Sequence, residues 1–93
     1  MILMPLSESS GQRGRIYVYS RPGCHLCELL MEELAPLIRG RLDLEVRNID
    51  SRPEWKLKYG VRIPLVEYDG QTVCQYHLDT AAIHAILDRL PAS

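Results

Sequence analysis

Two short stretches of the sequence carry residue types at spacings that could do chemistry. Cys24-His25-Leu26-Cys27 sets two thiols three positions apart, and Cys74-Gln75-Tyr76-His77 sets a thiol and an imidazole at the same interval. The first pair can be a redox couple that closes a small disulfide ring, two ligands of a metal, or two buried thiols without chemistry. Combined, the two stretches read C-x2-C…C-x2-H, which has the ligand types of a structural zinc site. Three cysteines are an odd number and too few for a disulfide scaffold. In a reducing compartment a close pair is more often catalytic or metal-binding than a staple.

Composition narrows the setting. The chain has 93 residues, 46% hydrophobic and 25% charged, as an ordinary globular domain does. Its net charge of −1 gives no electrostatic case for nucleic acid or an anionic membrane surface. No apolar run approaches the roughly 20 residues of a membrane span. MILMPL at the start is shorter than the core of about 7–15 apolar residues that a signal peptide needs. The expected location is therefore the cytoplasm, and the expected state a monomer. With no Phe, one Trp and five Tyr, core packing falls mainly to Leu, Ile and Val.

The elements that must position the cysteines follow from periodicity. Residues 1–14 end in the polar, small SESSGQRG and are expected to be a poorly ordered lead-in to one domain over 15–91. Arg15 to Ser20 alternates Ile16 and Val18 with Tyr17 and Tyr19, which predicts a strand apolar on both faces and covered by helices on each side. Cys24 to Ile38 predicts a helix with Leu26, Leu30, Leu34, Leu37 and Ile38 on a stripe. Pro36 then requires either a kink or an end near Ala35. Leu42, Leu44 and Val46 alternate in a second strand, and Pro53 opens a short helix to Tyr59, capped by Asp50 or Ser51 and closed by Gly60. Pro64–Tyr68 and Gln71–Gln75 flank Asp69-Gly70, a strong hairpin signal. A last helix runs from the cap Asp79 to Leu90, with Ile83, Ile86, Leu87 and Leu90 on one face.

The predicted order is β-α-β-α-β-β-α, an α/β fold with a four-stranded mixed sheet flanked by three helices. In it Cys24 stands where a strand hands over to a helix. Free backbone N–H groups and the positive end of the helix dipole surround its sulfur there and favour the thiolate. Cysteines of such pairs have pKa values of about 3.5–7.5 instead of about 8.5. Cys27, one turn on, can close the ring. His25 adds a charge that tunes the pair, or is a solvent-facing bystander. Arg21 attracts a thiolate or a substrate carboxylate, or is a surface cation. Leu26 belongs to the helical stripe, and the core is large enough to fold without a metal, so the expectation is no metal. Cys74 reads as a half-buried strand residue, with His77 and His84 as surface or cap residues.

Ser20-Arg21-Pro22-Gly23-Cys24-His25-Leu26-Cys27 resembles the active-site turn of glutaredoxins and of thioredoxin-like proteins generally. Gly60-Val61-Arg62-Ile63-Pro64 is similar to that superfamily's Gly-x-x-Ile-Pro run ahead of the third strand. The resemblance covers about Arg15 to Leu90 and is nearest to small bacterial glutaredoxin-like proteins with a C-H-L-C site. It implies a thioredoxin-like fold, a cis Pro64 facing the cysteines, and Ile63 as the contact to substrate backbone. It also implies a thiol–disulfide oxidoreductase in cell redox homeostasis. Electrons would pass through Cys24 and Cys27 with no separate cofactor, to a protein disulfide or a glutathione-type thiol, glutathione itself serving as co-substrate.

The departures are specific. The usual C-P-Y-C is C-H-L-C here, and the Gly-Gly-x-x-Asp segment that binds glutathione reads Cys74-Gln75-Tyr76-His77-Leu78-Asp79, with both glycines replaced. Thioredoxin's C-G-P-C and its buried acid on the first strand are also missing. The alternatives to an oxidoreductase are a zinc or iron–sulfur protein and a binding module with an inactive pair.

Overall fold

The computed structural model describes residues 14–91. Of the lead-in, residues 1–13 lie outside that range. Strand β1 spans Arg15–Ser20, helix α1 His25–Ile38, strand β2 Asp43–Asn48 and helix α2 Pro53–Tyr59. Strand β3 covers Leu65–Tyr68, strand β4 Gln71–Gln75 and helix α3 Thr80–Arg89. The element order is the predicted one, with one short 3-10 turn, Ile49–Ser51, added between β2 and α2.

The four strands form one sheet in the order β2-β1-β3-β4. β1 runs parallel to β2, as a helical crossover requires, and antiparallel to β3, which pairs antiparallel with β4. The hairpin turns on Asp69 and Gly70, whose φ values of 53° and 78° are the left-handed pair that a two-residue turn demands.

Alternation along β1 feeds two cores. Ile16 and Val18 join Leu30, Leu34 and Ile38 of α1, Val66 of β3, and Ile83 and Leu87 of α3. On the opposite face Tyr19 packs with Ile49, Tyr59 and Leu65, and Tyr17, Trp55 and Ile63 close around them. The all-apolar β1 thus reflects helices on both sides of the sheet. Each fully buried aliphatic side chain contributes roughly 1.5–3 kcal/mol against the entropy of ordering the chain.

Helix ends depart from expectation in instructive ways. α1 begins one residue after Cys24, which is its cap, and runs through Pro36 to Ile38. Near the end of a helix a proline forfeits one hydrogen bond, and the buried Leu34 and Ile38 on either side hold the last turn in place. β2 is an edge strand, and Val46 on it is 49% exposed although it alternates with Leu42 and Leu44. Neither Asp50 nor Ser51 caps α2. Its N-cap is Arg52, with no side-chain hydrogen bond, because the 3-10 turn engages both. Ser51 Oγ donates to the Asn48 carbonyl at 2.6 Å, and the Asp50 carboxylate faces Arg21. Asp79 does cap α3, accepting from the Ala82 N–H at 3.0 Å. Among the described residues no helix is long and apolar enough to cross a membrane.

Candidate active site

Strand register gathers the site at one end of the sheet. Ser20 pairs with Asn48 of β2, Tyr19 with Leu65 of β3, and Leu65 with Gln75 of β4. The turn after β1, the 3-10 turn after β2, the residues before β3 and those after β4 therefore meet along one edge. Carboxyl ends of parallel strands are where open α/β sheets place their sites.

The turn itself is built for a helix start. The Cys24 N–H donates to the Arg21 carbonyl at 3.2 Å, and Gly23 takes the positive φ of 82° that closes this tight loop. Cys24 is extended (φ −84°, ψ 103°), as an N-cap residue should be. Its Sγ accepts from the Cys27 N–H at 3.2 Å, the bond that a capping oxygen usually accepts. The Glu28 N–H donates to the Cys24 carbonyl at 3.1 Å. One backbone donor and the helix dipole thus converge on the Cys24 sulfur, and both favour a negative charge there.

Cys24 and Cys27 are joined in a disulfide with Cα atoms 5.2 Å apart. Their exposures differ sharply: Cys24 is half-buried and Cys27 has 0% exposure. A partner sulfur can therefore approach Cys24 and not Cys27. His25, the first helical residue, lies exposed beside the pair.

Arg21 is not a free cation. Its Nη2 donates to Asp50 Oδ1 at 2.8 Å and its Nε to Oδ2 at 3.4 Å, while Lys56 Nζ lies 4.0 Å from the same carboxylate. The Arg21 hydrogen bond holds the Asp50 carboxyl below its usual range, and Asp50 raises the Arg21 guanidinium in turn. Asp50 was missed as a site residue because sequence pattern offered it only as a helix cap.

At the same end of the sheet, just before β3, lie Ile63 and Pro64, joined by a cis peptide bond. Pro64 is buried and Ile63 half-buried. Tyr76 follows β4, its N–H donating to the Pro64 carbonyl at 2.7 Å and its hydroxyl to the Val61 carbonyl at 2.7 Å. Leu26, Leu29, Tyr76, His77 and Leu78 line a small recess of about 160 Å³ next to the pair.

The second stretch does not join the first as a ligand set. Cys74 packs half-buried against the larger core cluster, where burial pushes its thiol pKa up. His77 is exposed, its N–H turned back to the Gln75 carbonyl at 2.7 Å. Among the described residues, no group of three or more His, Cys, Asp or Glu is arranged to hold a metal ion.

Comparison with known proteins agrees with this geometry. A family model described as Glutaredoxin-like domain (DUF836) matches residues 15–88. A Nitrosomonas europaea protein solved by solution NMR is 33% identical, with a TM-score of 0.71 over 81% of this chain and 92% of that one. An X. campestris protein solved by X-ray methods is 26% identical, with a TM-score of 0.62 over 82% of this chain and 99% of that one. Thioredoxin 1 from Thermosipho africanus has 14% identity and a TM-score of 0.56 over 80% of this chain and 94% of that one, a likeness of fold. Comparison with curated proteins found no match. The thioredoxin-like sheet, the cysteine pair at the head of α1 and a family match over residues 15–88 lead to one conclusion: the chain belongs to the glutaredoxin-like domain family.

Proposed function

We propose that the protein is a thiol–disulfide oxidoreductase that works through Cys24 and Cys27. In the reduced protein the Cys24 thiolate attacks one sulfur of a substrate disulfide. A Cys24–substrate bond forms, the substrate S–S bond breaks, and the departing sulfur leaves as a thiolate. Cys27, having given up its proton, then attacks the Cys24 sulfur. The mixed disulfide breaks, the second substrate thiolate departs, and Cys24–Cys27 remain oxidised as in the present structure. Two electrons have moved from the protein dithiol to the substrate. A thiol donor of the glutathione class returns them by the same exchange in reverse.

The observation that carries this reading is the asymmetry of the pair: one capping, approachable sulfur and one sulfur with 0% exposure, already within bonding reach. Ile63 supports a substrate contact. The Val61 carbonyl, the Arg62 N–H and the Pro64 carbonyl are all hydrogen-bonded within the chain. The N–H and C=O of Ile63 have no partner among the described residues, so an extended substrate can pair with them. Arg21 takes a different role from an open anion site, since Asp50 neutralises it. We place the protein in the cytoplasm, acting as a monomer, on composition and cysteine usage.

The test is a trapping experiment. Cys27→Ser should accumulate a mixed disulfide between Cys24 and a substrate disulfide, seen as a mass adduct that dithiothreitol removes. Cys24→Ser should form none and should lose two-electron turnover. Full turnover in Cys24→Ser would refute the mechanism.

A further inference from the structure

Tyr76 is the site-edge residue that the mechanism above leaves without a task. It stands just beyond β4 with φ at 70°, a left-handed conformation that disfavours any residue with a Cβ and is held by compensating contacts. Two contacts compensate, and both reach the same loop. The Tyr76 N–H donates to the Pro64 carbonyl at 2.7 Å, and the Tyr76 hydroxyl to the Val61 carbonyl at 2.7 Å. Gln75 adds a third link, its Oε1 accepting from Arg62 Nε at 3.3 Å. Residues 75 and 76 therefore grip the segment Val61–Pro64 at both ends. Within the grip lies Ile63, whose N–H and C=O have no partner among the described residues.

The grip matters at the outer turn of the segment, since core packing already holds Ile63 and Pro64 at the inner end. Val61 is 86% exposed and anchors nothing in the core. Arg62 donates its N–H to the Tyr59 carbonyl at 2.8 Å, which fixes the loop to the end of α2 but not its outer turn. The Tyr76 hydroxyl supplies that outer anchor from 15 residues away. The ring of Tyr76 meanwhile forms one wall of the recess beside Leu26 and Leu29, so the hydroxyl and the ring do separable jobs.

We propose that Tyr76 is a positioning residue, whose hydroxyl latches the Val61–Pro64 loop so that Ile63 presents its backbone to an extended polypeptide carrying the disulfide that Cys24 attacks. The inference rests on the thiol–disulfide reading above and adds the substrate class and the residue that favours it. A polypeptide disulfide has a backbone to pair with Ile63, and a small disulfide without amide groups does not. The latch therefore separates these two substrates while leaving the sulfur chemistry alone.

Tyr76→Phe tests it, since the ring and its backbone bond stay and only the hydroxyl goes. With a peptide of about ten residues carrying a disulfide, the variant's KM should rise roughly two- to ten-fold, the range of one lost hydrogen bond, with kcat unchanged. With bis(2-hydroxyethyl) disulfide neither constant should move. Amide exchange of Arg62 and Tyr76, followed by NMR, should quicken in the variant. An unchanged peptide KM, or an equal loss on both disulfides, would overturn the proposal. A wild-type protein that reduces neither disulfide would overturn the thiol–disulfide reading and the latch's purpose with it. Amide exchange distinguishes that result from failure of the latch itself, in which Arg62 and Tyr76 exchange at the wild-type rate.

Discussion

Cys24 caps α1 with the same sulfur that the proposed reaction requires to attack. A capping atom is by construction at the positive end of a helix with a backbone donor pointed at it, here the Cys27 N–H at 3.2 Å. That placement was legible in the sequence, because a strand-like run ended four residues before Cys24 and an apolar helical stripe began just after it. The pairs that surround the site were not legible. Arg21 and Asp50 are 29 positions apart, and Tyr76 and Val61 are 15 apart. No periodicity links such residues, and only strand register brings them together. Cys74 shows the opposite environment to Cys24, since burial raises its thiol pKa, partly offset by a hydrogen bond from the Asp79 backbone. Its contribution is fully present below the ordinary thiol value of 9.0 and is lost as pH rises through the raised folded value. Urea unfolding of the oxidised protein should therefore show stability falling more steeply above pH 9.0 in the wild type than in Cys74→Ala. Parallel curves would mean that the Cys74 thiol ionises as freely in the folded chain as in the unfolded one.

At the scale of elements, the second core is organised around a cation. The Arg47 guanidinium on β2 lies 3.9 Å from the centroid of Tyr17 and 5.3 Å from that of Trp55. It also donates to the Tyr19 hydroxyl at 2.7 Å and to Glu45 at 3.1 Å. Tyr19 donates on to Glu67 at 3.0 Å and stacks on Tyr59 with centroids 3.9 Å apart. Burial, the largest influence on the Tyr19 hydroxyl, pushes its pKa up, so the bonds are made by the neutral phenol. This network ties the edge strand β2 to β1, β3 and α2, a task the sequence reading had left to apolar packing alone. Arg47→Ala should destabilise the domain by about 1–3 kcal/mol, losing stacking and leaving the Tyr19 hydroxyl short of a donor. Arg15→Ala, whose pair with Glu45 is exposed at 3.2 Å, should stay within about 0.5 kcal/mol. Equal effects in denaturant titrations would show that the aromatic setting adds nothing. Other element-level misreadings have one cause. Asp50 and Ser51 were assigned to α2 because capping types precede Pro53, yet the 3-10 turn used them first. Val46 alternates with Leu42 and Leu44 yet lies half exposed, because β2 is the edge of the sheet.

For the whole molecule, the order of elements, the two-faced sheet and the hairpin were legible because each depends on short-range signals. These were the apolar alternation of β1, the stripe of α1 and the Asp69-Gly70 pair, whose positive φ values the turn uses. Which end of the sheet carries the site follows from topology as well: β1 parallel to β2 and antiparallel to β3 places the cysteine turn, Asp50, Ile63 and Tyr76 at one edge. A zinc ligand set is the sequence's main rival to a redox pair, and the place of Leu26 in the helical stripe weighs against it. Cys74 packs against the larger core cluster, whereas Cys24 and Cys27 share a disulfide at the head of α1.

The central claim is that these two cysteines form an isolated two-electron couple, and a glutathione redox titration read by mass spectrometry tests it most directly. One transition is expected, in which Cys24 and Cys27 change together while Cys74 stays a thiol throughout. Independent oxidation of the two, a transition that includes Cys74, or stoichiometric zinc that protects all three until it is chelated would contradict it.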